Sequence, residues 1–210
     1  MSYFIDAAQQ VIEEEGIDEV TVRKVADIAG FNSATLYNYF ENIDHLLFFA
    51  CMKYLKDYAY ALPKYLDNEE NALDRYLKIW ECFIHYAFKK PKIYRILFFE
   101  EFKSSTKENI EEYYNLFPED LTRESKVVTS MLLENNFIDR NKTILRECAK
   151  EGYILEEDVE EINELTIIIF KSLLNQLISD GSLKESTKAL ANRSMKYMKR
   201  ALQFYSSKVE

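Results

Sequence analysis

Glycine, proline and cysteine are scarce in this chain, at four, three and three among 210 residues. Sheet-rich folds need turn residues in larger numbers, so the scarcity excludes them and leaves long helices joined by short connections. The three cysteines, Cys51, Cys82 and Cys148, stand apart from one another, with no C-x-x-C and no histidine at ligand spacing. They read as reduced, buried thiols and not as a disulfide framework or a metal site. The two histidines, His45 and His85, each follow a glutamate by four residues, whereas di-iron bundles use Glu-x-x-His, so no metal is expected. No nucleophile elbow, zincin pair or phosphate-cradling glycine loop occurs, which leaves enzymatic activity and a cofactor without support.

Long apolar runs are missing too. The best candidate, "LTIIIFKSLL", is interrupted by Lys171, and the acidic start "MSYFIDAAQQVIEEEG" lacks the charge and apolar run of a signal peptide. The expectation is a soluble cytoplasmic protein without a membrane partner.

Positive charge is in short supply at one end. Residues 1–48 hold two bases, Arg23 and Lys24, against nine acids, a local balance of −7 out of −9 for the whole chain. The remaining residues are nearly balanced, with 25 bases and 27 acids. Such a distribution ordinarily counts against nucleic-acid binding.

What is present is helical periodicity. Phe4, Ile5, Ala8, Val11 and Ile12 recur at helical spacing up to Gly16. Thr21 is placed to cap a short helix, "VRKVADIA", and Gly30 to end it; Asn32 is placed to cap "SATLYNYF", in which Leu36 and Phe40 form an i, i+4 apolar pair. Asn42 is expected to cap a fourth helix ending at Pro63. Further helices are expected over "NALDRYLKIWECFIHYAFKK", "KIYRILFFEEF" opened by Pro91, "IEEYYNLF" broken by Pro118, "RESKVVTSMLLENN", and "DRNKTILRECAKEGYI" capped by Asp139.

Two short helices meeting at a small residue, Ala26, and a sharp glycine reversal, Gly30, have the physics of a helix-turn-helix. The small polar first turn of the second helix suits entry into a major groove. On Thr21, "IAG" at residues 28–30, "TLYNYF" at residues 35–40 and Leu46, the sequence resembles the TetR family of bacterial transcriptional regulators. The resemblance implies an all-α chain with an N-terminal helix-turn-helix three-helix domain, residues 1–47, and a larger C-terminal ligand-binding and dimerisation domain, residues 48–210. It implies a homodimer that binds a double-stranded DNA operator, most simply as a repressor, and is released by a small-molecule effector.

Carried over by position, Thr21 would bond a phosphate, Ser33, Thr35 and Asn38 would face base edges or nearby phosphates, and Tyr37 and Tyr39 would contact the backbone or thymine methyls. Arg23 and Lys24 are the only local bases to join them. Three positions depart from the family pattern: Ala34 stands for the usual glycine, Phe31 for a smaller aliphatic, and Ile43 for a commonly phosphate-binding lysine.

Aromatic residues of the middle helices, Tyr54, Tyr58, Trp80, Phe83 and Tyr86, suggest a largely apolar ligand pocket, although simple core is the commoner use of each. In the segment at residues 158–181 apolar residues surround the helix, so both sides must be covered, the second by another subunit. Ile162, Ile169, Phe170, Leu173 and Leu177, with Met195, Met198 and Leu202 of the last helix, are the expected interface of a four-helix dimer. A rival reading keeps the scaffold as a small-molecule or protein-binding module that has lost operator binding, and the acidic N-terminal domain motivates it.

Overall fold

The computed structural model describes residues 1–99, 106–120, 136–179 and 185–206. Among these residues there is no strand; the helices are α1 (Ser2–Glu14), α2 (Val22–Ala29), α3 (Ser33–Leu36), α4 (Ile43–Met52), α5 (Leu55–Tyr65), α6 (Ala72–Lys89), α7 (Pro91–Phe99), α8 (Thr106–Leu116), α9 (Asn136–Lys150), α10 (Val159–Ser179) and α11 (Thr187–Ser206). No helix among them is long and apolar enough to cross a membrane. The segment "RESKVVTSMLLENN" lies almost wholly outside the described residues. Contacts divide the chain into two compact units, Met1–Lys56 with Lys92–Lys126, and Asp57–Pro91 with Val127–Glu210.

In the first unit the helix ends are fixed by side chains. Thr21 Oγ1 accepts from the Lys24 amide at 3.2 Å, Asn32 Oδ1 from Thr35 at 2.8 Å, and Asn42 Oδ1 from His45 at 2.8 Å. Each cap of this kind stabilises its helix by about 1 kcal/mol, because it satisfies an amide that the helix itself leaves orphaned. Gly30 ends α2 at φ 77°, a left-handed conformation that a side chain would strain, and the reversal is locked by Phe31 N–H donating to Ala26 at 3.0 Å. The helices then bury Phe4, Ile5, Val11, Val25, Leu36, Phe40, Leu46 and Phe49. Phe40 meets Phe4 and Phe49 edge-on, at centroid distances of 6.4 and 5.8 Å.

Three expected boundaries are corrected. The third helix stops at Leu36, not Phe40: Asn38 and Tyr39 bond back by three residues, and the chain must be extended at Asn42 to cap α4. The fourth helix does not run unbroken to Pro63. It pauses at Lys53 and Tyr54, where Tyr54 N–H bonds to Cys51 three residues back, and α5 then continues through Pro63. Two residues from the end of α5, the missing proline N–H removes one bond from a ladder about to finish. Asp139, expected as a cap, sits inside the first turn of α9, where the helix dipole favours its charge.

The second unit is organised on α6, whose Tyr76, Trp80, Phe83 and Phe88 are buried. Phe170 of α10 lies 5.1 Å from Phe83, 5.5 Å from Trp80 and 5.7 Å from Phe88. One polar knot crosses this core. Tyr76 donates to Thr166 Oγ1 at 3.1 Å, and Asn141 Nδ2 donates to Asn163 Oδ1 at 2.7 Å and reaches the Tyr76 hydroxyl at 3.3 Å. Burial pushes the Tyr76 hydroxyl up to about 12, against the pull of these partners, so it remains a neutral donor. At the start of α6, Arg75 holds Glu69 through two bonds of 2.7 and 2.8 Å and Glu147 of α9 at 2.8 Å.

Candidate nucleic-acid interface and ligand-binding region

The turn of the helix-turn-helix divides its residues sharply. Leu36 and Phe40 are buried, while Tyr37 and Tyr39 are 56% and 49% exposed. Because the chain leaves the helix after Leu36, the two tyrosines and exposed Asn38 project outward on the same short segment. Thr21 is exposed with its oxygen already accepting the Lys24 amide, so its hydroxyl proton is free to donate to an anion. Thr35 differs: its Oγ1 donates to Asn32 Oδ1 at 3.0 Å, which makes it part of the cap, and Ser33 beside it is half-buried.

Sequence reasoning passed over the apolar part of this surface. Ile28 and Phe31 are 43% and 45% exposed, and Tyr3 is 67% exposed with its ring 6.2 Å from that of Phe31. Phe31 also packs on Phe4 at 5.4 Å. The signal was present in the large ring at position 31, where the family pattern has a smaller side chain.

The two bases behave differently. Arg23 approaches Asp27 at 3.9 Å with both side chains almost fully in solvent, an arrangement that contributes little and leaves the guanidinium available. Lys24 is held by Glu15 Oε2 at 2.9 Å and Glu19 Oε2 at 3.6 Å, and the bond to Glu15 raises its pKa. The acid run at the end of α1 is thereby explained in part. Glu13 reaches Lys53 at 3.3 Å, Glu14 accepts from Gln10 at 3.0 Å, Glu15 takes Lys24, and Asp18 pairs with Lys92. Apart from Glu14, whose bond stays within α1, these acids tie α1 and the turn after it to α2, to Lys53 at the end of α4, and to α7, all within the first unit.

The first unit also holds a buried histidine. His45 Nδ1 accepts the Glu41 amide at 3.3 Å, so Nε2 carries the proton and donates to Asn109 Oδ1 at 3.1 Å, fastening α8 to α4.

The expected pocket aromatics fall in both units. Tyr58, Trp80 and Phe83 are buried in the second unit, with Phe83 at 5.7 Å from Tyr58 and 6.0 Å from Trp80, and Tyr86 touches Tyr58 at 6.2 Å. Tyr54 belongs to the first unit, where burial and nearby Glu13 push its hydroxyl up to about 12. Among the described residues no three metal-ligating side chains converge.

Five of the eight residues expected at a subunit interface, Ile162, Phe170, Leu173, Met198 and Leu202, are buried by the chain's own helices. Ile169, Leu177 and Met195 are half-buried. The large apolar side chains left in solvent on α10 and α11 are Ile168 at 53%, Tyr197 at 41% and Phe204 at 63%. Periodicity alone does not mark these outward residues, because a helix apolar nearly all round does not disclose which face its own chain covers.

Comparison with known proteins agrees with this geometry. Residues 4–48 match the model of the family described as bacterial regulatory proteins, tetR family. No curated protein sequence gives a match. Among solved structures, the FadR of Thermus thermophilus, a TetR-family transcriptional repressor in complex with lauroyl-CoA, superposes with a TM-score of 0.58 at 14% identity, over 96% of this chain and 92% of that one. The transcriptional regulator FadR of Bacillus subtilis in complex with stearoyl-CoA gives 0.56 at 17% identity, over 96% and 97%. The fatty acid degradation regulator FadR of Bacillus halodurans gives 0.55 at 17%, over 96% and 93%. At such identities the structural likeness speaks for the fold.

Proposed function

From a chain whose residues 4–48 match the TetR family model, we propose a cytoplasmic, ligand-responsive transcriptional repressor that binds its operator as a homodimer. Residues 1–47 read the DNA and residues 48–210 regulate and dimerise. The observation that carries this reading is the coincidence of the family match with the exposed Tyr37, Asn38 and Tyr39, set outside a core of Leu36 and Phe40.

Recognition in this reading is frugal with charge. Thr21, Arg23 and the helix-terminal amides contact phosphates, while Tyr37, Tyr39 and Asn38 meet base edges and thymine methyls. Lys24 serves as a clamp, and Thr35 and Ser33 shape the start of α3. The Ile28, Phe31 and Tyr3 surface adds apolar contact. Dimerisation runs through the outward stripe of Ile168, Tyr197 and Phe204, continued by half-buried Ile169 and Leu165.

The effector is small and largely apolar, a view supported by the acyl thioesters held by two structurally similar regulators. Its mechanism is differential affinity: the effector favours a subunit arrangement whose two recognition segments no longer match successive major grooves, about 34 Å apart. No catalytic step is involved. Selection of genomic fragments by the purified protein at low salt tests the proposal through the enrichment of a two-fold symmetric sequence.

The second reading, a binding module without an operator, is favoured by one specific observation: of two bases among residues 1–48, one is engaged by two carboxylates. The same selection separates the readings, since such a module enriches nothing.

A further inference from the structure

Helix α11 is anomalous in an acidic protein. Over Thr187–Ser206 it carries Lys188, Arg193, Lys196, Lys199 and Arg200 and no acid. Arg193 pairs with Glu185 at 3.0 Å, but the other four form no ion pair among the described residues. Lys196, Lys199 and Arg200 are helical neighbours at spacings of three and four, so they repel one another at a cost to the helix. Lys199 still acts on Asp74 across to α6, lowering the pKa of that carboxyl, so the stripe is largely but not wholly uncompensated among the described residues.

The same helix forms one wall of a cavity. Between α6 and α11, with Tyr65 of α5 beside them, lies a space of about 470 Å³, within the ~300–1,000 Å³ range of small-molecule sites. A second space of about 400 Å³ adjoins it through shared Glu81, Asn192 and Met195. Its walls are of two kinds. Ile84 and Phe88 of α6 and Ala191 and Met195 of α11 are apolar, whereas His85, Lys89 and Lys188 are exposed and basic. Lys89 lies over the Tyr86 ring at 5.6 Å, which steadies its ammonium without neutralising it. One acid, Glu81, lines the space a helical turn before His85 and two turns before Lys89, so an anion is excluded from that end and directed to the lysines.

We propose that this cleft binds an anionic amphiphile, with its chain against Ile84, Phe88 and Met195 and its head group on Lys89 and Lys188. The inference rests on the reading that a small molecule regulates the protein, and names the class and place of that molecule. It differs from the aromatic cluster of Tyr58, Trp80 and Phe83, which is filled by its own rings. The cleft also occupies a different face of α11 from Tyr197 and Phe204, so it stays open when that stripe is covered. A polyanion such as DNA would use the lysine stripe but neither the apolar walls nor the depth of the cavity.

Calorimetric titration of the full chain with monomeric decyl phosphate tests the idea, with decanol and decyltrimethylammonium as probes of the same chain and a different head. The expected result is one decyl phosphate per chain, bound at least about tenfold more tightly than either control, as a charge-assisted contact to two lysines requires. Lys89→Glu with Lys188→Glu, and separately Ala191→Phe to fill the cleft, each lower that affinity by at least about tenfold, while Lys150→Glu on α9 leaves it unchanged. Equal binding of the cationic probe, or unchanged affinity in both cleft variants, overturns the proposal. So does binding to phosphatidylglycerol vesicles without binding of the monomer, or displacement of decyl phosphate by random-sequence duplex DNA. Genomic-fragment selection is run without any amphiphile, so a failed operator and a failed cleft are told apart.

Discussion

Lys24 Nζ lies 2.9 Å from the Glu15 carboxylate, which makes one of the two bases of the N-terminal domain a strut between α1 and α2. That relationship changes the expected electrostatics of DNA binding. Glu15→Gln with Glu19→Gln releases Lys24 to the phosphates and removes two repelling charges. The slope of log affinity against log salt should steepen by about one unit, measured by fluorescence anisotropy over a salt series. Lys24→Ala alone should leave the slope nearly unchanged. A steep slope in the unmodified protein, with a marked loss on Lys24→Ala, would mean that the strut opens on DNA.

Tyr37→Ala should weaken specific binding by about 1–3 kcal/mol, the worth of a direct base or backbone contact, with no change in dimerisation. Thr35→Ala acts differently, since it removes a bond to the Asn32 cap. Its loss should appear partly as lower thermal stability of the chain. Parallel binding and melting curves distinguish the two.

The outward stripe of α10 and α11 predicts a contrast between neighbouring substitutions. Ile168→Glu or Phe204→Glu should give a folded monomer by light scattering, with helicity by circular dichroism intact. Ile162→Glu, which places a charge in the chain's own core, should unfold the second unit. A stable dimer carrying both Ile168→Glu and Phe204→Glu would refute the stripe.

His85 supplies a pH dependence. Burial, then nearby Lys89, lowers its pKa below the ordinary 6.5, with Glu81 opposing. Lys188 lines the same cleft. The folded chain therefore binds this proton less readily than the unfolded chain. Its contribution to stability is present above about 6.5 and declines as pH falls through the lowered value. Proton resonance titration of the imidazole should give a midpoint below 6.5, and His85→Gln should flatten the stability profile in that window. The effect is small, because the ring is largely exposed.

The legible part of this molecule was the part written in local chemistry. Thr21, Asn32 and Asn42 announced their caps, Gly30 its left-handed turn, and Pro91 the start of α7, because each depends on its nearest neighbours alone. What depended on distant partners was not legible. Lys92 pairs with Asp18 across 74 residues and Lys53 with Glu13 across 40, so an acid run that looked hostile to DNA turned out to be stitching. The Tyr76, Asn141 and Thr166 knot likewise joins three helices and leaves no periodic trace. The outward stripe at Ile168 and the cleft beside Lys89 were hidden for the same reason, since both depend on which face another helix covers.

On the proposed function, an acidic domain with one solvent-exposed arginine reads DNA by sequence. Selection of genomic fragments by the purified chain at low salt, followed by sequencing, tests it most directly. The expected result is enrichment of a symmetric sequence whose half-sites repeat at about one helical turn or a multiple, lost on Tyr37→Ala. A flat result, with no sequence enriched over input, would contradict it.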